Sequence, residues 1–167
     1  MKPQRTFRYY YIKILRLQGD PHSLARGLTL GVAAGIMPIM PLQLVTIMVL
    51  AFILRANSIA AILGGFMISN PFTIVPQYYL AWRIGKFIYP VDLSWNRVHE
   101  VVEFVVFGGG SFGERLGAIG QLGFESIAVL LLGGMIMAIP LVLIAYPLSL
   151  RLFIAVRDKR RKKHVLS

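Results

Sequence analysis

Three segments of this chain carry no charged residue, and each is long enough to cross a lipid bilayer. They are Gly27–Leu54, Ala56–Trp82 and Ser126–Leu150, with 28, 27 and 25 residues. A transmembrane helix needs about 20 predominantly apolar residues to span ~30 Å of hydrocarbon. Charged residues make up 15% of the chain, whereas about a quarter is usual for a soluble domain. We therefore expect an all-α integral membrane protein.

These segments divide the chain into three parts. We expect residues 1–19 to form an amphipathic helix at the cytoplasmic membrane interface, because apolar and basic residues fall there on opposite helical faces. Residues 20–150 form a single membrane domain, and residues 151–167 form a basic cytoplasmic tail. The hydrophobic segments of the domain cover about 22–54, 56–89 and 126–150, with a polar, amphipathic segment at 91–125.

The basic residues are concentrated near the two ends of the sequence. Of 18 Lys and Arg residues, five lie in Met1–Arg16 and seven in Arg151–Lys163. Segments rich in Lys and Arg stay in the cytoplasm, because their transfer across an energised membrane is opposed. We therefore place both termini in the cytoplasm. Anionic lipid headgroups account for the basic residues better than nucleic acid, which we do not expect as a partner.

Prolines interrupt two of the apolar segments. Pro38 and Pro41 divide the first into arms of about 14 residues, or roughly 21 Å, which is short for a ~30 Å crossing. The sequence therefore leaves two models open, a re-entrant hairpin or a pair of short spans. Pro71 and Pro76 predict a second helix break, because proline removes a backbone donor and clashes with the preceding turn.

Polar side chains accompany both breaks. Asn70, Thr73 and Gln77 surround the second break, and Gln43 follows the first. One interpretation is that they line a substrate path, because two facing broken helices are a common way to form a site at the bilayer midplane. The other is that Asn70 and Thr73 only satisfy backbone groups that proline leaves unpaired.

Four cations border the apolar segments. They are Arg26, Arg55, Arg83 and Lys86. Ordinary interfacial anchoring explains such positions, and the alternative is a set of phosphate contacts to an anionic lipid or lipid-linked substrate.

The chemistry expected of an enzyme is missing from the sequence. The chain has no cysteine, its three histidines are isolated, and no carboxylate lies within a charge-free segment. No phosphate-binding loop or dinucleotide fingerprint is present. We therefore expect no catalytic residues, no metal and no cofactor.

One combination of residues resembles a known family. The matching residues are Gly27, Gly31, Gly35, Pro38, Gln43, Arg55, Asn57, Ser69, Asn70, Pro71, Thr73, Pro76, Tyr78 and Gly85. They resemble the domain-of-unknown-function family two-zero-six-two, and the likeness covers roughly Asp20 to Leu150. The resemblance implies a polytopic protein of the bacterial inner membrane. Some relatives carry this domain fused to glycosyltransferases, which hints at lipid-linked glycan or envelope metabolism. The family supplies no assigned activity.

Two functions follow as hypotheses. The first is non-enzymatic transport or flipping of an anionic or amphipathic, lipid-phosphate-like substrate. The alternative is a membrane scaffold or accessory subunit that partners cell-envelope enzymes. A homo-oligomer is expected in either case, because few helices cannot enclose polar broken ends alone. Small residues should mark the helix contacts: Gly27, Gly31, Ala34, Gly35, Gly64, Gly65, Gly133 and Gly134.

Overall fold

The structure is a computed structural model that describes residues 17, 19–40 and 42–165, with side chains as far as Lys159. All regular secondary structure in these residues is α-helical, which confirms the expected all-α class. The interfacial helix expected over residues 1–19 lies outside the described residues except for Leu17 and Gly19. The break expected at Pro41 also lies outside them.

Seven helices make up the described part of the chain. They are α1 (Pro21–Ile36), α2 (Gln43–Ile53), α3 (Ser58–Ile68), α4 (Ile74–Ile88), α5 (Trp95–Phe107), α6 (Phe112–Gly120) and α7 (Phe124–Val165).

Helices α1 and α3 lie side by side and run in the same direction. Gly27 lies against Asn57, the residue before α3, and near the ends of both helices Gly35 lies against Gly65. The N–H of Asn57 also donates to the carbonyl oxygen of Ser23 at 3.1 Å. Glycine permits this approach because it places no side chain between the two backbones.

Helix α2 runs antiparallel to α1 and α3 and forms a hairpin with α1. Its first residue, Gln43, hydrogen-bonds Ser69 just beyond the end of α3. One turn later Ile47 lies against Gly65. The hairpin turn is therefore level with the end of α3. The helix ends at Ile53, and Arg55, two residues later, has a φ of 47° in the left-handed region.

Helices α3 and α4, separated by the Asn70-Pro71 break, run in the same direction and together form an interrupted rod, of which α4 lies beside α7. Ala81 of α4 lies against Gly133 of α7, and Gly85 lies against Val129, so these two helices are antiparallel. Farther along, α7 packs against the start of α1. Since α1 and α3 are parallel, α4 continues in the direction of α3 after the break.

The small residues mark helix contacts as predicted. The glycines in contact with a neighbouring element are Gly27, Gly31, Gly35, Gly64, Gly65, Gly133 and Gly134, and Ala34 is buried in the core. Gly85, which is not among the predicted contacts, is equally close to α7.

Helix α7 is the one described helix that is long and apolar enough, between Phe124 and Lys159, to cross a membrane. It continues through Pro140 and Pro147 and stays helical beyond Leu150. Helices α2 and α3 are apolar but have 11 residues each. At about 17 Å, neither spans ~30 Å of hydrocarbon alone.

Helices α5 and α6 correspond to the polar, amphipathic segment. Val98 and Val102 of α5 pack with Ile74 of α4 and Val129 of α7. Because Ile74 is the first residue of α4, this contact places α5 alongside α4 and the first part of α7.

Candidate functional site at the helix breaks

Asn70 closes the gap between α3 and α4. Its Oδ1 accepts hydrogen bonds from the N–H groups of Phe72 (3.0 Å) and Thr73 (3.2 Å). Its carbonyl oxygen accepts the N–H of Ile74 at 3.0 Å. The first N–H groups of a helix have no partners within it, and Pro71 brings no N–H of its own. Asn70 therefore supplies the acceptors that the start of α4 lacks.

Thr73 and Gln77 form hydrogen bonds on the other side of the gap, at the end of α3. Both donate to the carbonyl oxygen of Ile68, Thr73 through Oγ1 and Gln77 through Nε2 at 2.9 Å. In a continuous helix this carbonyl would accept the N–H of Phe72, which is bound to Asn70 instead. Gln77 is 9% exposed, so its amide would be unpaired in the interior without this bond. Capping thus accounts for the hydrogen bonds of Asn70, Thr73 and Gln77.

Gln43 connects the hairpin turn to the same break. The Ser69 hydroxyl donates to Oε1 of Gln43 at 3.1 Å, and both residues line a cavity of about 240 Å³ between α2 and α3. The other walls are apolar: Met40, Leu44, Ile47, Ile62 and Phe66. The cavity therefore has one polar edge, formed by Gln43 and Ser69, while Asn70 and Thr73 lie outside it.

The prolines fall into two groups. Pro38 lies between α1 and α2 and packs against Gly134 of α7, and Pro71 lies between α3 and α4. Pro76 was expected to mark a break, and this is wrong, since it is the third residue of α4. In the first turn of a helix the missing N–H would have had no intrahelical partner, so proline is tolerated there.

The four cationic candidates lie at opposite ends of the bundle. Arg26 and Arg55 lie where α1 and α3 begin, and Arg83 and Lys86 lie near the end of α4. Pro38, just beyond α1, contacts Gly134 beside the Gly133–Ala81 contact, and Arg26 lies 12 positions before Pro38, or roughly 18 Å along α1. A single headgroup therefore cannot contact both pairs.

Lys86 is held by the protein itself. Its Nζ donates to the carbonyl oxygen of Leu93 at 3.3 Å and lies 5.5 Å from the centroid of the Trp82 ring. Trp82 donates through Nε1 to the same carbonyl at 3.0 Å. These bonds favour an anchoring role for Lys86, whereas Arg26, Arg55 and Arg83 are exposed.

Ser69 belongs to this site but was not among the candidate residues predicted from the sequence. It lies directly before the Asn-Pro pair, which could have marked it as part of the break. Its partner Gln43 is 26 positions away, and no local pattern indicates a pairing over that distance.

The polar groups at the breaks are neutral amides and hydroxyls, which donate and accept hydrogen bonds without ionising near neutral pH. No group of three His, Cys, Asp or Glu side chains that could hold a metal ion occurs in the described ranges. His99 lies 3.8 Å from Glu103 on α5, on the surface and away from the breaks.

Fold and site together define an all-helical protein with an interrupted helical rod, a proline-turned hairpin and one helix able to cross a membrane. The chain belongs to the bacterial family described as "Uncharacterized protein conserved in bacteria" (DUF2062), which matches residues 4–162. This is the family that the sequence resembles, so that prediction is confirmed. Neither the curated proteins nor the solved structures include a match to the chain.

Proposed function

We propose that this protein is a polytopic protein of the bacterial inner membrane with both termini in the cytoplasm. It binds an anionic or amphipathic, lipid-phosphate-like substrate and moves it between the leaflets without covalent chemistry. The basic residues near the two ends of the sequence support the orientation.

The directions of the helices support the membrane arrangement. In this proposal α7 crosses the bilayer, the α3–α4 rod crosses beside it in the opposite direction, and the α1–α2 hairpin enters from the cytoplasmic side. The hairpin is then re-entrant, and its turn lies level with the α3–α4 break. The outer face of α2 suits contact with lipid, because Phe52 is 85% exposed and Ile53 is 64% exposed.

The observation that carries the function is the Ser69–Gln43 hydrogen bond at the edge of the 240 Å³ cavity. It places two polar side chains from different interrupted elements against a space that is otherwise lined by apolar residues. Membrane transporters bind substrates at such meetings of interrupted helices, where polar groups near the bilayer midplane contact the cargo. A polar headgroup that crosses the bilayer would replace its hydrogen bonds to water with hydrogen bonds to these side chains.

Headgroup movement between leaflets tests the proposal. We would reconstitute the full chain in vesicles with headgroup-labelled phosphatidylglycerol and measure the label that becomes accessible to an impermeant quencher. The double variant Gln43→Leu with Ser69→Ala removes the polar edge, and Gln121→Leu makes a similar change on the exposed surface. We expect at least a tenfold lower protein-dependent rate for the double variant and no change for Gln121→Leu.

Two results would count against the proposal. A wild-type rate equal to that of empty vesicles contradicts transport of this lipid class. A normal rate in the double variant contradicts a role for the cavity edge.

A second candidate function is a scaffold or accessory subunit for cell-envelope enzymes of lipid-linked glycan metabolism. The observation that favours it is that α7 stays helical beyond Leu150, through the cationic residues Arg151, Arg157 and Lys159. Such an extension offers a docking helix for an enzyme at the membrane surface. Deleting residues 157–167 should abolish crosslinking to envelope enzymes in cells, and full retention of the crosslinks would exclude docking through this extension.

We also propose a homo-oligomer, because the hairpin leaves one side of the 240 Å³ cavity bordered by the half-exposed Leu44 and Phe66. A second copy would enclose the polar edge. Native mass spectrometry from nanodiscs should then show more than one chain per particle, and a strictly monomeric protein would contradict this.

A further inference from the structure

A second cavity lies on the opposite side of the hairpin, bounded by α1, α2 and α7. Its volume is about 430 Å³, and it follows α1 from Arg26 to Met37. These residues are 11 positions apart, so the cavity is a groove roughly 16 Å long. Its walls along that length are apolar, including Leu30, Leu50 and Val142. A groove of this shape fits an extended hydrocarbon chain.

One end of this groove carries an unpaired donor. Thr29 lines the groove and is 7% exposed, and its hydroxyl has no hydrogen-bond partner among the described residues. A buried hydroxyl without a partner is unfavourable, because it has lost water and gained nothing in exchange. A threonine within a helix often donates its hydroxyl to a backbone carbonyl of the preceding turn, but Thr29 does not. Arg26, one turn earlier on the same face, is exposed and also lines the groove.

Arg55 brings a second cation to this end. It follows Leu54, another groove residue, and its φ of 47° places it in the left-handed conformation. That position after a helix strongly favours glycine. A residue other than glycine carries an energetic cost in this conformation, and such backbone is found more often at binding sites than elsewhere.

We propose that this groove binds one acyl chain of an anionic phospholipid from the cytoplasmic leaflet. The lipid phosphate lies between Arg26 and Arg55, and the Thr29 hydroxyl donates to a phosphate or ester oxygen. Guanidinium groups suit phosphate because their paired N–H donors match two of its oxygens. This inference rests on the proposed function and names its substrate class and the site where the substrate enters.

Lipid retention tests the groove separately from transport. The purified full chain would be released from nanodiscs containing equal amounts of phosphatidylglycerol and phosphatidylcholine, and native mass spectrometry would count the lipids that stay bound. We expect retention of phosphatidylglycerol over phosphatidylcholine in the wild type. Arg26→Gln should lower this preference about tenfold. Arg151→Gln, an exposed cation on α7 outside the groove, should leave it unchanged.

Thr29→Val separates binding from folding. Valine has nearly the same shape and removes the unpaired hydroxyl, so the variant should unfold at a higher temperature in detergent. It should also retain several-fold less phosphatidylglycerol. A purely structural threonine would show the reverse, with lower stability and unchanged lipid retention.

The absence of cysteine from the chain permits a second measurement. Ala33→Cys places one thiol on the groove wall, and phosphatidylglycerol should slow its reaction with a maleimide at least fivefold, whereas inorganic phosphate should not. The acyl-chain site is overturned if inorganic phosphate or phosphatidylcholine protects the thiol as well as phosphatidylglycerol does, or if phosphatidylglycerol gives no protection. An unchanged lipid preference in Arg26→Gln also overturns it. Selective retention without headgroup movement would instead support the groove and contradict transport.

Discussion

Gly31 of α1 faces the carbonyl oxygen of Ala61 in α3 so closely that a Cβ atom on Gly31 would overlap it. Both residues are buried at the centre of the helix pair. The two backbones are therefore in direct contact at this point. The hairpin turn and the α3–α4 break are both attached to this pair, which fixes Gln43 relative to Ser69.

Substituting this glycine should be costly. We expect Gly31→Ala to lower the free energy of unfolding by about 3 kcal/mol, because the methyl group forces the two helices apart. The measurement is the unfolding midpoint in mixed detergent. Gly117→Ala in α6 is the matched control, since nothing lies within 4 Å of a Cβ there. It should stabilise the chain by about 0.5 kcal/mol, and equal effects of the two variants would contradict the close approach.

Removing the Asn70 side chain should open the start of α4 locally. Asn70→Ala leaves the N–H of Phe72 without its acceptor, at a cost of about 1 kcal/mol, whereas the N–H of Thr73 keeps the carbonyl oxygen of residue 70 at 2.9 Å. We expect faster hydrogen exchange at the Phe72 amide, by roughly fivefold. Asn70→Ser should restore slow exchange, because a serine oxygen can also accept at this position. Unchanged exchange in the alanine variant would show that Asn70 is not the cap.

The left-handed backbone at Arg55 predicts a substitution that gains stability and loses binding. Glycine adopts a φ of 47° without the steric penalty of a side chain. We expect Arg55→Gly to raise the free energy of unfolding by about 1 kcal/mol, partly offset by its freer unfolded state. The same variant should lose the preference for phosphatidylglycerol. A variant that is less stable and keeps the preference would contradict both the backbone argument and the proposed phosphate contact.

Local sequence chemistry predicted the helix breaks and the helix contacts. Pro38 and Asn70-Pro71 interrupt helices for reasons that depend only on the proline ring, and glycines spaced four apart lie on one helical face. The convergence of Thr73 and Gln77 on the Ile68 carbonyl was not predictable, because it depends on how α4 is rotated after the break. The placement of the four cations at opposite ends of the bundle was also not predictable, because it depends on the directions of the helices, which hydrophobic periodicity does not give.

Sequence also could not show how the segment between α5 and α6 is held. Arg115 donates from Nε to the carbonyl oxygen of Gly110 (3.0 Å), from Nη1 to that of Val105 (3.1 Å) and from Nη2 to that of Gly108 (2.9 Å). A single guanidinium thus binds the end of α5 and both ends of the glycine segment. From the sequence alone, three consecutive glycines predict a flexible linker, because glycine restricts the backbone least.

This arrangement predicts that lysine cannot replace Arg115. The lysine ammonium is a compact group that lacks the planar fork of arginine, so it cannot reach three carbonyls in those directions. Losing part of this network should cost about 1.4 kcal/mol of local stability, which corresponds to roughly tenfold more frequent opening of the segment. Proteinase K should therefore cut at Gly108–Gly110 about ten times faster in Arg115→Lys than in the wild type. Arg97→Lys is the matched control, because the single bond from Arg97 to the Gln121 carbonyl (2.7 Å) is one that lysine can reproduce. Equal cleavage of both variants would mean that the guanidinium does not hold this segment closed.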